Sequence, residues 1–168
     1  GNTAYCSHGT VGLYSYDMTN PANPGAPQFV ADEGGYNHSS WLSLNGGFLI
    51  FAEETHGKPM YLVNPSNGNI ISSFKFPLEA PNHTNNIAHN PFILGDKAFV
   101  SYYHDGVKVI DLSDPANPQL AGYYDTYPNN IGYSGFEGCW GIYPYVPSGK
   151  SIAADISTGL YVLDFTGG

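Results

Sequence analysis

Positive charge is scarce in this chain: five Lys and Arg stand against fourteen Asp and Glu, giving a formal net charge of -9. Recognition of nucleic acid or of an anionic bilayer surface rests on clustered Lys and Arg, so neither is an expected partner. Long apolar runs are missing too. None approaches the roughly 18–20 residues that cross a bilayer, so no membrane span is expected. No extended stretch places apolar residues at i, i+3, i+4 and i+7, which leaves little helix to expect. Cysteine is limited to Cys6 and Cys139, far apart in the sequence. They read as two buried thiols acting as small apolar side chains, or alternatively as one disulfide. Also absent are Cys-x-x-Cys, His-x-x-x-His, a Gly-x-Ser-x-Gly elbow and a phosphate-cradling glycine loop. The chain opens on Gly1 without Met or a visible signal peptide, and reads as a processed or excised piece.

What the chain has instead is 21 Gly, 13 Pro, 14 Tyr and 9 Phe. That mixture suits short strands joined by tight turns. It is also repetitive. Asn20-Pro21-Ala22-Asn23-Pro24 returns as Asp114-Pro115-Ala116-Asn117-Pro118, and each copy follows a short apolar run ending in Asp. Upstream, Gly12-Leu13-Tyr14-Ser15-Tyr16-Asp17 matches Gly106-Val107-Lys108-Val109-Ile110-Asp111 and Gly159-Leu160-Tyr161-Val162-Leu163-Asp164, with a weaker copy at Pro59-Met60-Tyr61-Leu62-Val63-Asn64. A period of roughly 40–50 residues built from β-rich segments marks propeller blades.

The expected fold is therefore all-β: a β-propeller of about four blade repeats in one segment, approximately 4–31, 38–76, 87–124 and 139–165. In the best copy the strands are expected at Ile87–Leu94, Lys97–Tyr103, Val107–Asp111 and Gln119–Tyr124, with Gly95-Asp96 as the hairpin turn. The first repeat lacks an innermost strand and the last an outermost one. These gaps cannot complete each other, so an arc of a larger ring is expected, its open edges covered by the remaining blades or by a partner chain.

Tyr36-Asn37-His38-Ser39-Ser40-Trp41-Leu42, Ala88-His89-Asn90, Gly122-Tyr123-Tyr124-Asp125-Thr126-Tyr127-Pro128 and Trp140-Gly141-Ile142-Tyr143-Pro144-Tyr145-Val146-Pro147-Ser148-Gly149 resemble phrases of the choice-of-anchor B family. These are bacterial surface and secreted propellers with LVIVD-type repeats. The resemblance runs from Tyr5 to Phe165, and its most specific part is the stretch from Trp140 to Gly149. It implies that the chain maps onto the C-terminal half of such a protein, and that it is secreted or displayed on the cell surface. It implies no established enzymatic activity. Two positions depart from the family pattern: Ser39, where Gln is common, and Glu53-Glu54, where Asp-Glu is common.

A propeller builds one face from the links between second and third strands and from the links between blades. His8, His56 and His104 map to the first kind, His83 to the second, and His38 and His89 to the start of inner strands beside the channel mouth. Glu53, Glu54, Asp105 and Asp155 fall on the same side, and the opposite face has no histidine. Functional loops tend to share one face of a rigid scaffold. The candidate site is a divalent metal ion held by His38 and His89 with Glu53 or Glu54. Imidazole with carboxylate suits a transition metal, and oxygen-only ligation would suit calcium. The alternative is that both histidines are structural, bonding backbone groups where inner strands begin. Trp140 occupies the equivalent place in the last repeat, which speaks against a symmetric ring of ligands.

Other motifs are weaker. Asn37-His38-Ser39 and Asn82-His83-Thr84 match the glycosylation sequon. Tyr102, Tyr103, Tyr123, Tyr124, Tyr127, Tyr143 and Tyr145 read as packing, with a sugar-stacking surface as the alternative. Three functions stay open. The first is a non-enzymatic extracellular or cell-surface module that binds a protein or surface ligand through its loop-rich face. The second is a metal-dependent, hydrolase-like enzyme with its site at the channel mouth. The third is a scaffold piece of a larger cell-surface assembly.

Overall fold

The computed structural model describes residues 1–76, 85–129 and 132–167. Among these residues all regular structure is β, arranged as four antiparallel sheets that follow one another along the chain. The first sheet holds β1 (Thr3–Ser7), β2 (Leu13–Asp17) and β3 (Gln28–Ala31). The second holds β4 (Asn37–Leu42), β5 (Leu49–Glu53), β6 (Met60–Val63) and β7 (Ile70–Phe74). The third holds β8 (Pro91–Leu94), β9 (Lys97–Ser101), β10 (Val107–Asp111) and β11 (Gln119–Tyr124), and the fourth β12 (Cys139–Tyr143), β13 (Ser151–Asp155) and β14 (Gly159–Leu163). Each sheet is a meander in which neighbours in sequence are neighbours in space.

The repeated phrases have a local cause. Asp17 at the end of β2 accepts the amide of Thr19, and Asp111 at the end of β10 accepts that of Ser113, both at 2.8 Å. Asn64 does the same for Ser66 at 2.9 Å. A short side-chain acceptor closing on the amide two residues later starts a turn, which is why each apolar run ends in Asp or Asn.

The core lies between the sheets. Every residue of β5 and β6 is buried, because both faces of that sheet are covered. One face packs Ile50 and Leu62 against Val100 and Ile110 of the third sheet, and the other packs Leu49, Phe51 and Val63 against Leu13 and Val30 of the first. Alternation along a strand sends successive side chains into these two different cores. A third layer joins Phe99, Val107 and Val109 to Cys139, Ile142 and Ala153. The outer faces of the first and fourth sheets are open: Phe29, Leu160 and Val162 are 61%, 71% and 62% exposed.

A buried ion pair stitches the second sheet to the third. Lys108, fully buried in β10, donates to Asp105 Oδ2 at 2.6 Å and to the Phe76 carbonyl at 2.5 Å, with its ammonium 3.9 Å from the centre of the Tyr102 ring. Asn86 and Tyr133 donate to the same carboxylate at 2.7 Å each.

In the third sheet β10 and β11 have the bounds expected from the sequence, β9 ends at Ser101 rather than Tyr103, and the inner strand differs most. β8 begins at Pro91 rather than Ile87, because two residues there face one: the His89 amide donates to the Ser101 carbonyl, and the Ser101 amide donates to Asn90. This is a bulge. In β4 the register steps from Asn37–Glu53 to Ser39–Ala52 and skips His38; in β12 it steps from Cys139–Asp155 to Gly141–Ala154 and skips Trp140. Three blades thus share one irregularity, at positions 38, 89 and 140.

Two sequence readings fail here. Cys6 and Cys139 are free thiols, which removes the disulfide alternative. Asn37 is 1% exposed and closed to a glycan. The second sequon at Asn82, and His83 with it, lie outside the described residues.

Candidate functional site

The bulges decide what faces the axis. An extra residue in one strand re-aims its side chain, and at the first two such positions that side chain is an imidazole. The His38 and His89 rings stack with centroids 4.4 Å apart. Glu54, one residue beyond β5, reaches both: His38 Nδ1 lies 3.2 Å from Oε2 and His89 Nε2 lies 3.5 Å from Oε1. One ligand atom from each of His38, Glu54 and His89 falls within 4.8 Å of the others. Glu53 is not brought into this group. Strand alternation turns it the other way, where its carboxylate is fully buried beside Asn37 and the Gly35 backbone. Burial pushes that carboxyl above its usual range, with the neighbouring Asn37 acting in the opposite sense.

His89 is 2% exposed. Its Nδ1 lies 2.5 Å from the Trp140 carbonyl, and its own carbonyl accepts the Ser39 hydroxyl. Burial lowers its basicity; the bond to Trp140 and the nearby Glu54 act in the opposite sense, and His38 adds to the lowering. Tyr103 closes the back of the site and donates its hydroxyl to Glu54 Oε1 at 2.5 Å. Burial, and then this bond, push the phenol well above its ordinary range. Tyr103 has φ 42°, in the left-handed region, where the residue matching it in the first repeat is Gly9 at φ 62°. Holding a bulky side chain there costs roughly 1–3 kcal/mol. Backbone bonds in both directions between Tyr103 and Cys139 keep it in place.

The remaining histidines stand apart from this cluster. His8 stacks on Tyr16 and meets its hydroxyl at 3.2 Å. His56 Nδ1 faces the Asn85 carbonyl. His104 is buried against Tyr127 and Tyr133, and burial lowers its basicity. Asp155 accepts the Thr126 hydroxyl and the amides of Ser157 and Thr158, so it serves the β13–β14 turn. Asp105 belongs to the Lys108 pair. Even so, all five described histidines sit at strand ends on one face, as the strand pattern requires. On the opposite face a cavity of about 620 Å³ opens between the β4–β5 and β8–β9 turns, lined by Leu44, Phe48, Ile71 and Leu112 with Asp96 as its only titratable group.

Solved structures fix the architecture. The β-propeller domain of Cps50 (Swd1) from Myceliophteria thermophila matches with a TM-score of 0.67 at 11% identity, over 97% of this chain and 48% of that one. The computationally designed Ika8 protein matches with 0.66 at 9% identity, over 100% and 44%. The periplasmic gluconolactonase PpgL of Pseudomonas aeruginosa matches with 0.61 at 11% identity, over 98% and 55%. The fold is a β-propeller. The chain spans about half the length of these proteins, and at such identities the likeness carries fold alone. No family model matches the chain, and no curated protein sequence does.

Two participants escaped sequence reasoning. Tyr103 reads as core packing, and the Trp140 position as one unable to ligate. In the fold Tyr103 bonds the site carboxylate and the Trp140 backbone orients His89. The available signal for Tyr103 was its alignment with Gly9, which marks a position where the backbone favours glycine. The tyrosines as a set are also mixed: Tyr102 and Tyr103 are buried, but Tyr123, Tyr124 and Tyr143 remain about half exposed.

Proposed function

We propose that this chain is part of a secreted or cell-surface propeller, of the choice-of-anchor B kind, that binds a protein or other surface ligand through its histidine-bearing face. The observation that supports this reading is an aromatic collar. Tyr36, Phe136 and Trp140 are 49%, 52% and 55% exposed around His38 and His89, and each ring contacts the buried site: Tyr36 on His38, Trp140 on His89, Phe136 on Tyr103. Near the turns of the opposite face the exposed apolar residues are the aliphatic Leu44 and Leu94 and the aromatic Trp41 and Tyr143. Trp140 stands on β12, while Tyr36 and Phe136 stand on the segments leading into β4 and β12; exposed large rings with buried neighbours are what interface anchors are made of. Further blades of the complete ring cover the open outer faces around Phe29, Leu160 and Val162.

The test presents purified protein to arrayed surface proteins and glycans, then measures the affinity of a captured ligand for variants. Trp140→Ala and Phe136→Ala each weaken binding about tenfold or more, equivalent to about 1.4 kcal/mol, while Leu44→Ser leaves it unchanged. A ligand held equally well after both rim substitutions refutes the reading. One observation favours metal-dependent hydrolysis as a second reading: the meeting of His38, Glu54 and His89 at this face. That reading requires lactone or ester turnover that disappears in His38→Ala.

A further inference from the structure

We propose that His38 Nδ1, His89 Nε2 and the Glu54 carboxylate form a three-ligand site for a divalent transition metal of the zinc class, with its fourth position open on the exposed side of His38. The inference stands whether or not the aromatic rim binds a partner. It starts from a proton count. A nitrogen and a carbonyl oxygen 2.5 Å apart, as His89 Nδ1 and Trp140 O are, require the proton on Nδ1. The Asn90 amide group approaches the same nitrogen at 2.9 Å. In a neutral imidazole the other nitrogen is then an acceptor. So His89 Nε2 turns a lone pair toward Glu54 Oε1, which is an acceptor as well. The Tyr103 hydroxyl contributes its single proton to that oxygen and none to the gap.

A metal ion between the three side chains would satisfy both acceptors, one ligand atom from each residue lies within 4.8 Å of the others, and the surroundings fit it. Tetrahedral zinc with bonds of about 2.0–2.1 Å sets its ligand atoms about 3.3–3.4 Å apart. The nitrogen–oxygen separations here, one to each oxygen of the carboxylate, are 3.2 and 3.5 Å. The outer partners match as well: ligating histidines donate their other N–H to a carbonyl, and ligating carboxylates are themselves hydrogen-bonded. Trp140 O and Tyr103 OH hold those places. Two imidazoles with one carboxylate select a transition metal over calcium.

The experiment strips the purified protein with chelator, confirms by circular dichroism that it is folded, and titrates it with Co(II) followed by Zn(II). The expected result is one equivalent of Co(II) per chain with the visible absorption of a low-symmetry site, displaced by Zn(II). His38→Ala, at a half-exposed position that keeps the fold, and Glu54→Gln each weaken binding at least a hundredfold. Tyr103→Phe weakens it about tenfold, and the control His56→Ala has no effect. Absence of saturable one-to-one binding overturns the proposal. So does binding that survives both His38→Ala and Glu54→Gln, or an NMR spectrum of His89 that shows protons on both ring nitrogens and does not change on adding Zn(II).

Discussion

Replacing Lys108 with Met tests how the blades are held together. Lys108 is fully buried, and its ammonium has three partners: Asp105 at 2.6 Å, the Phe76 carbonyl at 2.5 Å and the Tyr102 ring at 3.9 Å. Methionine fills much of the same volume, so little packing is lost. What remains is a buried carboxylate deprived of its closest counter-ion, to which Asn86 and Tyr133 donate. Removing one member of a buried pair costs about 3–5 kcal/mol. For a domain of this size each kcal/mol lowers Tm by roughly 2–4 °C, so a fall of about 6–20 °C is expected by differential scanning calorimetry. Adding Asp105→Asn to Lys108→Met removes the buried charge and recovers part of the loss.

The pH dependence supplies a second readout. Burial pulls the Lys108 ammonium down to about 8, against the opposing pull of Asp105. The unfolded chain keeps an ordinary lysine near 10.4. Between these values the unfolded state binds more protons, so wild-type stability rises with pH from about 8 to 9.5. Lys108→Met lacks that rise. Above roughly pH 10 the buried tyrosines reverse the slope, because burial holds Tyr102 and Tyr103 protonated in the folded state. A variant that melts within 2 °C of wild type, with an unchanged pH profile, would falsify the view that this pair joins the second and third blades.

Three further outcomes are expected. Gly138→Ala destabilises by about 2 kcal/mol or more in urea titrations, since its φ is 92° and an added Cβ would meet the Tyr103 carbonyl at 2.3 Å. Tyr103→Phe removes a hydrogen bond to a charged acceptor and costs about 1.5–3 kcal/mol, whereas loss of a neutral surface hydroxyl would leave the denaturant midpoint unmoved. Cys139 is buried, with its thiol pushed up to about 12 by burial and by Asp155, while Cys6 is only half-buried. A thiol reagent at pH 8 therefore labels one cysteine in the folded protein and two in denaturant; two labelled under native conditions contradicts the buried placement.

The repeat made most of the fold legible. Turn-forming Asp and Asn at strand ends, and the Pro pairs after them, bound the second, third and fourth strands, and these came out with few errors. The inner strands were harder to read because a bulge has no sequence mark of its own: His89-Asn90-Pro91 reads as a continuous strand until the partner Ser101 is known to face two residues. The same gap affected the site. Sequence placed His38, His89 and a Glu53-Glu54 pair on one face, yet which glutamate turns toward the axis depends on which side of β5 the neighbouring blade occupies. That is a fact of packing rather than of composition. Tyr103 was masked by its own chemistry, since an aromatic among aromatics reads as core.

The shared bulge also bears on how this scaffold could change. Positions 38, 89 and 140 are one backbone socket used three times, filled with imidazole, imidazole and indole. The Trp140 indole already stacks 5.6 Å from the His89 ring. Exchanging it for a third imidazole would alter the chemistry at the pore without disturbing the pairing around it, because the register there is set by Cys139 and Gly141 and not by the residue between them. Duplicated blades thus leave a place where side chains can diverge while the sheets stay the same.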